Sequence, residues 1–163
     1  MGSDMRSVFK AVMAFILSAA VVIVVFAVMI GVFLAPKDSV LESLPRYETK
    51  EYFSSGGFQD YTDYAKYTYR VSESELAENE YLRPVTQGDI PTILAYVEDF
   101  EGWVEISQDF PKESYDFDKS TIGEGDYWFL QNRYEDPEKA FWNYDLYYFD
   151  VDASSLYYFH SNM

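Results

Sequence analysis

The chain contains no cysteine and a single histidine. Without thiols there is no disulfide framework, no cysteine-ligated zinc, no thiol nucleophile and no lipobox cysteine. One histidine excludes a multi-histidine metal centre. Basic residues are also scarce. Twelve Lys and Arg stand against 28 Asp and Glu, a formal net charge of −16 over 163 residues. Nucleic-acid binding needs clustered cations, so nucleic acid is excluded as a partner. No glycine-rich phosphate loop is present, because Gly56-Gly57 and Gly123-x-Gly125 lack both the lysine and the strand–helix context. No repeat of solenoid length occurs. What is abundant is aromatic: 20% of the chain, with 16 tyrosines. A chain this rich in bulky rings is not expected to be disordered despite its charge.

Residues 11–35 form a 25-residue run without charge. About 20 apolar residues span a bilayer core, so the run is read as a transmembrane helix. A cleavable signal peptide has a shorter apolar region, about 7–15 residues, with a small-residue cleavage site. Here the exit is Phe33-Leu34-Ala35 followed by Pro36, which suits an uncleaved signal anchor better. Arg6 and Lys10 flank the run closely and are accompanied only by Asp4, which predicts a cytoplasmic N-terminus and an extracytoplasmic C-terminal domain. Ala14 with Ser18, and Ala27 with Gly31, are small residues four apart and would allow a homodimer through the membrane helix.

The expected organisation is a tail over 1–10, the transmembrane helix over 11–35, a linker over 36–57 and an acidic, aromatic-rich α+β domain over 58–163. Residues 37–163 carry ten basic and 27 acidic side chains. Phe58, Tyr61, Tyr64, Ala65 and Tyr69 suggest a short helix over 58–66 leading into a short strand. Residues 73–80 read as an exposed turn. Ile90, Ile93, Leu94, Val97 and Phe100 recur at helical spacing. Thr86 and Asp89 are spaced like a capping box, Pro91 fits a first turn, and Gly102 suggests a stop. The helix is therefore placed over 88–101. Beyond it the period changes to two. Tyr115 and Phe117, Tyr127 to Leu130, 141–149 and 155–160 predict an antiparallel β-meander of about four strands packed on that helix.

The last two strands hold a near repeat, Leu146-Tyr147-Tyr148-Phe149-Asp150 and Leu156-Tyr157-Tyr158-Phe159-His160. A turn tip at Asp152-Ala153 sets Phe149 opposite Leu156, Tyr148 opposite Tyr157, Tyr147 opposite Tyr158 and Leu146 opposite Phe159. Both faces of this hairpin are then apolar or aromatic. One face packs on the helix, and the other needs a cover or forms a contact patch. Leu146–Asp150 and Leu156–Met163 resemble the choline-binding type of cell-wall repeat over fewer than about 20 residues, the length of one repeat. Such repeats run in tandem with glycines in their turns, and this chain has neither, so it is assigned to no family.

Chemistry-bearing groups are sparse. Asp150-Val151-Asp152-Ala153-Ser154 opens like a calcium loop, but Ser155 and Ser161 occupy the positions that need Gly and a bidentate Glu, so an acidic hairpin turn is the better reading. Asp116 and Asp118 read as a solvated strand face. His160 has no G-x-S-x-G partner motif and reads as a polar residue ending the last strand. No catalytic residue, cofactor or metal ion is expected, and the chain is read as a non-enzyme. The expected function is a membrane-anchored interaction or sensory domain outside a bacterial cell. It would bind an envelope or secreted protein through Tyr144, Leu146, Tyr148, Tyr157 and Phe159. The alternative is a cell-wall or glycan-binding module that stacks aromatics on sugars. A small hydrolase comes third.

Overall fold

The computed structural model describes residues 13, 21–25, 37–56 and 60–163. The transmembrane reading of 11–35 falls almost wholly outside them. Among the described residues, no helix is long and apolar enough to cross a membrane. Ser39–Met163 form one compact α+β unit. In chain order it comprises α1 (Ser39–Glu42), β1 (Thr49–Gly56), β2 (Tyr61–Thr68), α2 (Glu73–Ala77), β3 (Arg83–Pro84), α3 (Ile90–Ile106), β4 (Tyr127–Asn132), β5 (Asn143–Asp150) and β6 (Ser155–Asn162).

The six strands form one antiparallel sheet in the order β1-β2-β6-β5-β4-β3. The meander β4-β5-β6 matches the sequence reading, but the sheet has six strands rather than about four. The N-terminal hairpin β1-β2 is added through β2, which pairs with β6 along its whole length. The last strand thus lies in the middle of the sheet. The segment read as a linker supplies α1 and β1, and Val40, Leu44 and Ser55 are buried within it. Where a helix over 58–66 was expected, Tyr61–Thr68 is a strand. Its Tyr64, Ala65 and Tyr67 are all buried, which gives side chains on both faces and mimics a helical spacing.

The hairpin register agrees with the expected one residue for residue: Phe149 with Leu156, Tyr148 with Tyr157, Tyr147 with Tyr158 and Leu146 with Phe159. Asp150 Oδ1 accepts from the Ala153 N–H at 2.8 Å, so the acidic stretch is a side-chain-stabilised turn, and Ser154 takes the left-handed conformation at φ 50°. Both faces of the hairpin are covered. On one side Tyr64, Leu146, Tyr148, Tyr157 and Phe159 pack against Ile93, Val97, Phe100 and Val104 of α3 and against Phe110 and Phe117. On the other, Tyr147, Phe149 and Leu156 pack against Val40, Leu44, Leu76 and Leu82. Strands buried on both faces read as continuous apolar runs, which is why 144–149 shows no alternation.

Helix α3 runs past the expected stop at Gly102, because Trp103, Val104 and Ile106 continue it and nothing lies within 4 Å of a Cβ there. The Thr86–Asp89 pair is half a capping box. Asp89 reaches back to the Thr86 N–H at 2.9 Å, but the Thr86 hydroxyl caps no helical N–H. A complete box instead starts α2, between Ser72 and Glu75. The alternation at Tyr115 and Phe117 gives no strand. Two short 3-10 turns, Lys112–Ser114 and Lys119–Thr121, bracket it.

Phe159 is fully buried, with ring centroids of Tyr64, Phe100 and Phe117 at 5.7, 5.4 and 5.1 Å. Phe159→Ala removes the ring shared by α3, β2 and the 110–117 segment. Chemical denaturation should show a loss of about 3–5 kcal/mol.

Candidate functional site

The five residues proposed as a contact surface are all core residues. Tyr144, Leu146, Tyr148 and Phe159 are 0% exposed and Tyr157 is 6% exposed, all on the α3 side of the sheet. They present no surface to a partner in this conformation. The sequence showed that both hairpin faces were apolar, but the residues covering them are scattered over 40–122.

Five phenol groups, on both sides of the sheet, end on carboxylates. Tyr64 donates to Asp116 at 2.7 Å, Tyr115 to Glu101 at 3.2 Å, Tyr144 to Asp99 at 3.2 Å and Tyr158 to Asp145 at 2.8 Å. Tyr148 donates to Asp126. Burial, reinforced by the adjoining carboxylates, pushes all five phenols well above the ordinary tyrosine range. Asp116 also pairs with Lys66, and Asp118 accepts from the Ser120 N–H at 2.9 Å. The two aspartates therefore serve different partners and do not form an ion site.

His160 lies on the opposite face of the sheet. Its Nδ1 is 2.8 Å from Asp145 Oδ1, and the other Asp145 oxygen accepts from Arg133 at 2.9 Å. Burial raises the Asp145 carboxyl, but hydrogen bonds from His160, Tyr158 and Arg133 outweigh it and hold the group below the ordinary carboxylate range. The Asp145–His160 arrangement resembles the orienting half of a hydrolytic triad. Among the described residues, His160 Nε2 is buried and has no hydrogen-bond partner. Asp63, its cross-strand neighbour on β2, also has a buried, unpartnered oxygen. Among the described residues, no group of three or more His, Asp or Glu side chains is placed to hold a metal ion.

Sequence reasoning missed a cleft of about 260 Å³ where the end of β1 and the start of β2 face the C-terminal end of α3. Ser55, Asp60, Tyr61 and Thr62 form one side, Trp103, Ile106 and Ser107 the other, and Met163 closes it. The hydroxyls of two lining residues, Ser55 and Thr62, are 2.9 Å apart. Gly56 makes the turn possible: its φ is +112°, and a Cβ there would overlap the Asp60 carbonyl oxygen. The sequence signal was Trp103 and Ile106 beyond Gly102, on a helix read as ending too early. Ile106 is 67% exposed, an unusual cost for a large aliphatic residue. A second exposed group, Tyr134 and Trp142, lies between β4 and β5 with Lys139 over both rings.

Comparison with protein-family models, with curated proteins and with solved structures finds no match, so neither family nor activity reaches this chain from a relative.

Asp145→Asn removes the charge on which Tyr158, His160 and Arg133 converge. Stability at neutral pH should fall by about 1.5–3 kcal/mol. A carboxyl whose pKa is lowered on folding stabilises above its unfolded value and loses that contribution in acid. The gap between wild type and variant should therefore narrow as pH falls below about 4 in denaturation curves.

Proposed function

We propose that this chain is a membrane-held, non-enzymatic interaction domain that binds a protein partner through the cleft between Tyr61 and Trp103. The cleft carries the reading. It exposes Ile106 beside an indole and a thioether, on a surface otherwise dominated by carboxylates. Its volume of about 260 Å³ lies below the range of about 300–1,000 Å³ usual for small-molecule sites. That size suits one protruding side chain of a partner. The unpartnered Nε2 of His160, with no hydroxyl bonded to it, supports a binding role over hydrolysis.

The uncharged run 11–35 would anchor the domain, with the N-terminus cytoplasmic and residues 37–163 outside a bacterial cell. The partner would then be an envelope or secreted protein. The strong negative charge would speed its capture if it is basic. A second reading, a cell-wall glycan site, is favoured by one observation: Trp142 and Tyr134 are 48% and 40% exposed, and their rings meet edge to face. Sugar stacking on them would be insensitive to salt, unlike a steered protein contact.

A photo-crosslinking amino acid at Ile106 should give a discrete adduct in intact cells, and Trp103→Ala should abolish it. The same probe at Trp142 should give none. An adduct from Trp142 alone, unchanged by Trp103→Ala, would overturn the cleft as the site.

A further inference from the structure

We infer that the group received by this cleft is cationic: a lysine or arginine side chain of the partner, seated against Trp103 with its charge towards Asp60. The inference rests on the cleft being the docking site and adds the chemistry of its occupant. Three observations point the same way. The first is the end of α3. A 17-residue helix carries partial negative charge at its C-terminal end, and the last turn of α3 contains no basic residue. Lys112 Nζ already donates to the Glu105 carbonyl there, so this end does attract an ammonium group.

The second is the charge of the lining. Asp60 is an exposed acidic residue of the wall, and among the described residues no Lys, Arg or His lines the cleft. An acidic side chain entering it would meet Asp60. A neutral apolar side chain would use the ring surfaces but leave Asp60 idle. The third is the Trp103 ring. Aromatic faces attract cations through their quadrupoles, and indole is the strongest of the protein rings in this respect. Lysine and arginine also carry apolar stems that suit Ile106 and Met163, so a single such side chain satisfies the apolar and the charged parts of the lining together.

The domain shows the same chemistry internally. Arg83 lies over the Trp128 ring at 4.2 Å while pairing with Asp89 at 3.3 Å, a cation held between an indole and a carboxylate. The cleft offers an indole and a carboxylate of this kind from different elements, Trp103 on α3 and Asp60 before β2, with no cation in the lining among the described residues.

The test uses the full-length chain in zwitterionic nanodiscs, labelled with 5-fluorotryptophan. Three tryptophans give three resonances, and Trp103→Phe identifies one. The probes are two short peptides, Ac-Ala-Arg-Leu-amide and the same peptide with citrulline, which keeps the shape and loses the charge. The arginine peptide should shift the Trp103 resonance with a millimolar Kd and leave Trp128 unmoved. Citrulline in place of arginine, or Asp60→Asn, should weaken binding by about tenfold, the loss of one cation–ring and ion-pair contact. Equal binding of both peptides would overturn the cationic occupant and leave the cleft as an apolar docking site. A Trp103 resonance moved by neither peptide would also overturn it, and the Ile106 crosslink would then decide separately whether the cleft docks a partner.

Discussion

The bond from a tyrosine hydroxyl to a carboxylate at the rim of the core is the contact on which this domain depends. The two central strands, β5 and β6, are buried on both faces, and much of the covering volume is aromatic. Phenylalanine would fill that volume without further demands. Tyrosine adds a hydroxyl, and a buried hydroxyl without a partner costs about 1–3 kcal/mol. Asp99 and Glu101 on α3, Asp116 between the 3-10 turns, Asp126 before β4 and Asp145 on β5 accept from five of them. Part of the acid excess and part of the tyrosine excess thus belong to one arrangement. The same bonds fix irregular segments in place: Asp116 ties its loop to β2, and Asp126 ties its turn to β5 while also accepting from the Val151 N–H at 3.0 Å.

A second constraint is topological. β6 is the last strand in the chain, yet it joins the β1–β2 hairpin to the β3–β5 half of the sheet. Until it is in place the two halves share no strand pairing. β2–β6 contacts link residues about a hundred positions apart, and pairings of such separation slow folding. Phe159, on this strand, sits where α3, β2 and the 110–117 segment meet.

Local patterns were legible in the sequence. The hairpin register followed from one turn and a near repeat, and the buried face of α3 followed from its spacing. What was not legible depended on distant partners. β1 is polar and exposed because it is an edge strand, so Thr49–Gly56 carried no strand signal and resembled a linker. β2 is buried on both sides, so its rings fitted a helix as well as a strand. Gly102 did not end α3, since an interior glycine costs only about 1 kcal/mol and the residues after it still pack. The Ser72–Glu75 capping box was readable but lay in a charged stretch without an apolar stripe. The contact surface was misplaced for one reason: a strand apolar on both faces looks the same whether or not a second layer covers it. Val40, Leu44, Leu76 and Leu82, which do cover it, are isolated apolar residues in polar segments.

Alkaline titration of the tyrosines tests the central claim most directly. Burial and neighbouring carboxylates raise the five phenols in the folded state, so their stabilising contribution is complete below the unfolded value, about pH 10, and is lost as pH rises beyond it. Phenolate absorbance should therefore rise in two stages. The bonded group should ionise last, above the ordinary tyrosine range, in a single step that coincides with loss of the circular dichroism of the sheet. Ionisation of all 16 tyrosines in one smooth transition, with the fold intact throughout, would show that the rim bonds do not hold the core.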